Sequence, residues 1–198
     1  MASGKRSFLR ETIVERLLRL YLRVKQLANK AKERKMYNAA PIVTHDKNTR
    51  ARLIFYEQFN DVHKRAQINK LWSTLTRKDH RLQDLSTAQM TANVQSSQSA
   101  GVQLVSIKRI GGSQGRVDDF DSEFRPLKKH NRDRWLSVAA ARYLGQSLPP
   151  VSLVRLGCTY YVRDGHHRIS VAKTMGQQEI EAEVIMWDAE SDAVCDAA

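Results

Sequence analysis

The sequence predicts an α+β chain in which a basic N-terminal helical hairpin is followed by a small mixed-sheet domain. Three observations carry this. Apolar residues recur at alternating spacings of four and three in two early stretches, the pattern of helices with one buried face. Beyond residue 103, short alternating runs are interleaved with helical ones and punctuated by Gly and Pro, as in a small mixed sheet. Charge is also split between the halves: residues 1–100 hold 20 basic and 8 acidic residues, and residues 101–198 hold 13 of each. The net charge of +12 therefore lies entirely in the first half.

A chain of 198 residues suffices for one domain or two small ones. With 41% hydrophobic and 27% charged residues it is neither collagen-like nor wholly disordered. No apolar run approaches the roughly 20 residues that span a bilayer, so no membrane association is expected. The first residues lack the continuous apolar segment of a secretory signal. Cys158 and Cys195 stand 37 positions apart without CxxC spacing, and this count excludes a disulfide scaffold and a four-ligand zinc site. The expected compartment is the reducing cytoplasm.

Residues 1–85 read as the basic helical module. From Arg10 to Lys35, Ile13, Leu17, Leu20, Val24, Leu27 and Ala31 form one stripe, while Arg16, Arg19, Arg23 and Lys30 fall on another face. Such a stripe packs on a second helix or on a partner chain, so a homodimer through the N-terminal helices is an expectation. Pro41 breaks the pattern. A second helix runs from about Asn48 to Leu75, with Phe55, Phe59, Val62 and Ala66 as its core stripe and Lys64 and Arg65 among its cations. Excess positive charge attracts phosphate, so DNA is the expected partner, touched by Arg16, Arg19, Arg23, Lys30, Lys64 and Arg65. No recognition helix stands out.

Residues 86–103, STAQMTANVQSSQSAGVQ, carry no charge and read as a polar linker. Leu104–Ile110 alternates like a strand and ends at Gly111-Gly112. Asn131–Leu144 is a helix, stopped by Pro149-Pro150. Val151–Leu156 and Thr159–Arg163 are strands around a turn at Gly157-Cys158. Gly165 opens a helix over His166–Met175, closed by Gly176. Ile180–Met186 is the last strand, and residues 188–198 form an acidic tail.

Two segments carry chemistry. In TYYVRDGHHRISVAKTMG a strand runs straight into a helix, and free N–H groups at a helix start favour an anion. Gly165 lets an anion approach, Arg168 can fork onto phosphate oxygens, and His166 and His167 add pH-sensitive hydrogen bonds. Asp164 would either hold a divalent ion beside a phosphate or orient a histidine, or else it caps the helix. Adjacent histidines do not suit two ligands of one metal on a helix face, so a structural zinc site is rejected. In the second segment, SQGRVDDFD, Arg116 can contact a phosphate, and Asp118, Asp119 and Asp121 can support a metal or act as general base. The plainer reading is a solvated acidic loop anchored by Phe120.

The order of these segments resembles the N-terminal domain of ParB-type chromosome-partitioning proteins, within the ParB/sulfiredoxin superfamily, over about residues 104–187. The family's first motif, approximately QPR-x-x-F, is matched by Gln114, Arg116 and, displaced by one position, Phe120. Its second, approximately G-E-R-R-x-R-A, is matched by Gly165, Arg168 and Ala172. Two histidines replace the Glu-Arg of that box, and His166 stands where sulfiredoxins, which read G-C-H-R, carry their reactive cysteine, so sulfinic-acid reduction is not expected. The resemblance implies a ParB-like fold that binds CTP or ATP with Mg²⁺, phosphates held by Gln114, Arg116, Gly165, His166, His167 and Arg168. It implies a metal role for Asp164, and base or catalytic roles for Asp164, His167 and one of Asp118, Asp119 or Glu123. Nucleotide occupancy would then bias association on DNA, with slow hydrolysis as an accompanying activity, in a cytoplasmic, nucleoid-associated protein. The other implied reading is an enzyme of the same superfamily, a nucleotide-dependent serine-type kinase or a metal-dependent nuclease.

Overall fold

The computed structural model describes residues 46–76 and 80–189, the side chains of 74 and 75 excepted. The chain divides into two units, Met1–Val43 and Thr44–Ala198, and every described residue lies in the second. The expected helix over residues 10–35, with Arg16, Arg19, Arg23 and Lys30, lies outside the described residues.

Asp46 starts the first helix, α1 (Lys47–Thr76), by accepting hydrogen bonds from the Asn48 and Thr49 amides at 3.0 and 2.9 Å. There follow β1 (Gln83–Asp84), α2 (Leu85–Ala92), β2 (Val94–Ser106) and β3 (Ile110–Ser113). The chain continues through α3 (Arg132–Tyr143), β4 (Val151–Leu156), β5 (Thr159–Asp164), α4 (His166–Thr174) and β6 (Glu179–Ala189). The class is α+β, as expected. Six strands form one mixed sheet in the order β1-β3-β5-β4-β6-β2. β3 is parallel to both β1 and β5, β4 is parallel to β6, and the β4–β5 and β2–β6 pairs are antiparallel.

The helices cover the sheet in layers. Ile169 and Ala172 of α4 join Val151, Leu153, Val162, Ala182 and Val184 in the main core on one sheet face. Val171 on the other side of α4 meets Trp135, Leu136 and Ala139 of α3, which in turn receive Phe55 and Phe59 of α1. Phe59 and Trp135 meet edge-on at 5.6 Å, and Trp135 Nε1 donates to Ser170 Oγ at 3.0 Å, tying α3 to α4. The aromatic stripe of α1 is core, as its spacing predicts. Leu85 of α2 packs with Val154, Leu156 and Tyr161 on the opposite face.

The structure departs from the expected boundaries in four places. Residues 86–103 form most of α2 and β2 rather than a linker. Asp84 caps α2 through the Thr87 amide, Leu85 is buried, and β2 pairs with β6 from Val94 opposite Ala189 to Ser106 opposite Glu179. An edge strand bonded along one side, with most side chains in solvent, needs no apolar alternation, so its polarity misled. Leu104–Ile110 is not one strand: it holds the end of β2, a 3₁₀ turn at Ile107–Arg109 and the start of β3. The Ile107 amide bonds the Gln178 carbonyl at 2.8 Å, turning the chain so that Val105, Ile107 and Ile110 are all buried. Asp188, given to the acidic tail, extends β6 and bonds Ser96 of β2. The module junction also shifts, because α1 and β1 belong to the α/β unit. Cys158, in the β4–β5 turn, is disulfide-bonded; the cysteine count excluded a framework of bridges, not a single bond. Among the described residues no helix is long and apolar enough to cross a membrane.

Candidate functional site

The parallel neighbours β3 and β5 end side by side, Ser113 opposite Val162, and the segments that follow them meet. The carboxyl ends of parallel strands are where open α/β sheets offer a crevice. After β5, Gly165 adopts φ +99 and starts α4 with no side chain capping the helix amides. A Cβ on Gly165 would lie 2.5 Å from the Val151 side chain, so glycine is dictated by the packing beneath the turn. An approaching anion is not needed to explain it.

His166 and His167 follow, both buried. Phe120, fully enclosed, stacks on the His166 ring at 5.8 Å and meets the His167 ring edge-on at 5.3 Å. The expected hydrophobic anchor thus orients both imidazoles. His166 Nε2 bonds Ser113 Oγ at 2.7 Å, and that oxygen also accepts the Arg116 amide at 3.3 Å. His167 is only 9% exposed, and its buried Nδ1 has no hydrogen-bond partner. Burial, then the positive charge of Arg116, pushes both rings down to about 4; the neighbouring His167 adds to this at His166, and Arg134 adds to it at His167. Both imidazoles are therefore neutral at pH 7.

These groups line an open cleft of about 370 Å³. Asp164 and Gly165 close one side. Asn131, His130 and Arg134, from the start of α3 and the turn before it, close the other, with Arg116 and Asp119 from the loop after β3. Arg116 and Arg134 are exposed and form no ion pair among the described residues. The two carboxylates are neutralised by other cations. Asp119 binds Lys128 at 2.7 Å; burial raises its carboxyl, but the bond and charge of Lys128, with Arg116 and His130, outweigh this and hold it below the usual range. Asp164 pairs with Arg168 at 2.5 Å.

Of the expected site residues the cleft gathers Arg116, Asp119, Asp164, Gly165, His166 and His167. Arg168 does not line it. Besides Asp164, its guanidinium bonds the Pro149 and Pro150 carbonyls at 2.5 and 2.7 Å, strapping the segment before β4. Gln114 is exposed outside the cleft, its amide bonded to the Val162 carbonyl. Asp118 lines a different cavity, with Lys70, His80 and Arg81, and Glu123 pairs with Lys173 at 3.2 Å. Asp121 is a buried brace: it accepts the Glu123 and Arg125 amides and pairs with the Arg125 side chain, while burial raises its carboxyl despite them. Lys64 and Arg65 are exposed on α1. Sequence reasoning missed Ser113, His130, Asn131 and Arg134, because no local pattern links the start of α3 to the loop after β3.

The donor set suits an anion. Among the described residues no group of three or more His, Cys, Asp or Glu side chains is placed to hold a metal ion, and Asp164, the expected metal ligand, is committed to Arg168. Asp119 and Asp164 both line the cleft, and a Mg²⁺ that arrives with phosphates takes no more than one or two such carboxylates.

No family model and no curated protein matches the chain. Among solved structures it is similar to sulfiredoxin from Arabidopsis thaliana, at 16% identity and a TM-score of 0.29 over 42% of this chain and 82% of that one. A likeness at this level carries no functional argument.

Proposed function

We propose that this chain binds a phosphorylated small molecule in the cleft at the start of α4, and that a nucleoside triphosphate, CTP or ATP, is that ligand. One observation carries the reading: the guanidiniums of Arg116 and Arg134, which form no ion pair among the described residues, and an uncapped helix start share one opening. The motif resemblance to ParB-type domains supports the choice of nucleotide. Mg²⁺ enters with the phosphates of the nucleotide. The exposed cations of the first half, Lys64 and Arg65 among them, are read as the DNA-facing surface, with nucleotide occupancy biasing that association.

Binding is favoured over the kinase or nuclease alternative by the state of the carboxylates. Asp119 and Asp164 are each held by a cation, and Asp118 and Glu123 stand outside the cleft. None is left as a free general base beside the anion site.

Calorimetric titration of the full chain with CTP, ATP and inorganic phosphate tests the reading. Saturable triphosphate binding is expected, weakened about tenfold or more by Arg116→Ala, which removes a charge-assisted contact. Absence of saturable binding up to about 1 mM, a standard free energy near 4 kcal/mol, overturns it. DNA association is tested by salt. If about six phosphates are contacted, affinity falls by roughly 10³-fold between 50 and 200 mM salt, and a flat salt response removes the DNA partner.

A further inference from the structure

The two edges of the sheet differ sharply. One is β1, two residues long, a length that offers little to a partner. The other is β2, 13 residues long, whose outer side carries no strand among the described residues. Long edge strands are normally defended by charge or proline. β2 has neither: no charged residue occurs between Asp84 and Lys108, and no proline interrupts it. Its devices are two register shifts, one between Val94 and Ser96 and one between Ser99 and Gly101, where Gly101 takes φ +70. That leaves Gly101–Ser106 as a straight segment in regular register with Val184–Glu179.

Along this segment Val105 points into the core while Val102 and Leu104 stand on the opposite face, 60% and 67% exposed. We infer that the outer edge of β2 is a self-association surface, pairing antiparallel with β2 of a second copy about a two-fold axis at Gln103. In that register Val102 of each copy sits opposite Leu104 of the other, so four exposed apolar side chains become one shared cluster. Directly opposed apolar pairs are the unit of sheet stabilisation, and a two-fold contact needs a self-complementary patch. Charge points to the same occupant. The excess positive charge lies outside residues 101–198, so two copies can meet along this uncharged edge without opposing it. The nearest like charges on that face, Glu181 and Glu183 of β6, would face their counterparts across three strand spacings, about 14 Å, which exceeds the roughly 8 Å screening length at physiological salt.

Sedimentation equilibrium of the full chain tests this. The unmodified chain is expected to dimerise, and Val102→Lys or Leu104→Lys, each at an exposed position, to weaken the dimer about tenfold or more. Mixing the Val102→Lys chain with a Leu104→Glu chain is expected to restore a heterodimer, because only this register sets position 102 against position 104 of the other copy. A chain that stays monomeric at its highest soluble concentration overturns the inference. So does a dimer unaffected by both lysines, which places the contact elsewhere, or a mixture no tighter than its components.

Discussion

His166 and His167 sit where a short enclosed helix begins, and their chemistry follows from that position. Ile169 and Ala172 face the sheet while Val171 faces α3, so α4 is covered on two sides and the adjacent rings are drawn out of water. Desolvation then disfavours the charged form, and Arg116 reinforces it. The sign of the pH effect follows. The folded rings titrate near 4 and the unfolded ones near the ordinary value of 6.5, so the unfolded chain binds more protons between those values. The stability that comes from keeping the rings neutral is complete above pH 6.5 and is lost as pH falls toward 4. It is on the order of 3 kcal/mol per ring at most. Thermal melts from pH 7.5 to 5 should show a falling midpoint, and His167→Gln should remove about half of the decline. An unchanged slope in that variant would show that His167 is not held neutral by burial.

At the level of elements, α1 is the informative case. The sequence places Phe55, Phe59, Val62 and Ala66 on one helical face, and all four are buried. Phe55 and Phe59 pack on α3, through Trp135, Leu136 and Ala139. Phe59→Ala should therefore cost about 3–5 kcal/mol, measured by denaturant unfolding, and α3 should loosen with it in hydrogen exchange. A loss under about 1 kcal/mol would mean that α1 is an appendage of the α/β unit. The edge strand β2 shows the opposite limit. Its Ser- and Gln-rich sequence carries no periodic signal because its order comes from main-chain bonds to β6, contributed by residues about 80 positions later.

For the whole molecule, the second unit begins at Thr44 and includes α1, β1 and α2. Residues 44–198 should melt cooperatively by circular dichroism. Residues 86–198, which keep β2 through β6 intact, should not, since they lack Phe55, Phe59, Leu82 and Leu85 from three buried clusters. Cooperative unfolding of the shorter piece would return the boundary to the charge transition. What the amino-acid order determined by itself was local. The helical spacing of α1 and α3, the glycine that turns β5 into α4, and the strand runs of β4, β5 and β6 all follow from backbone and burial preferences within a dozen residues. The tertiary structure decided what touches what. It brought Ser113 to His166 and Arg134 to Arg116, turned Arg168 away to the two prolines, and gave Asp119 and Asp164 their cations. These contacts join residues from separate strands, helices and loops, and their energies depend on distance and desolvation that no linear spacing encodes.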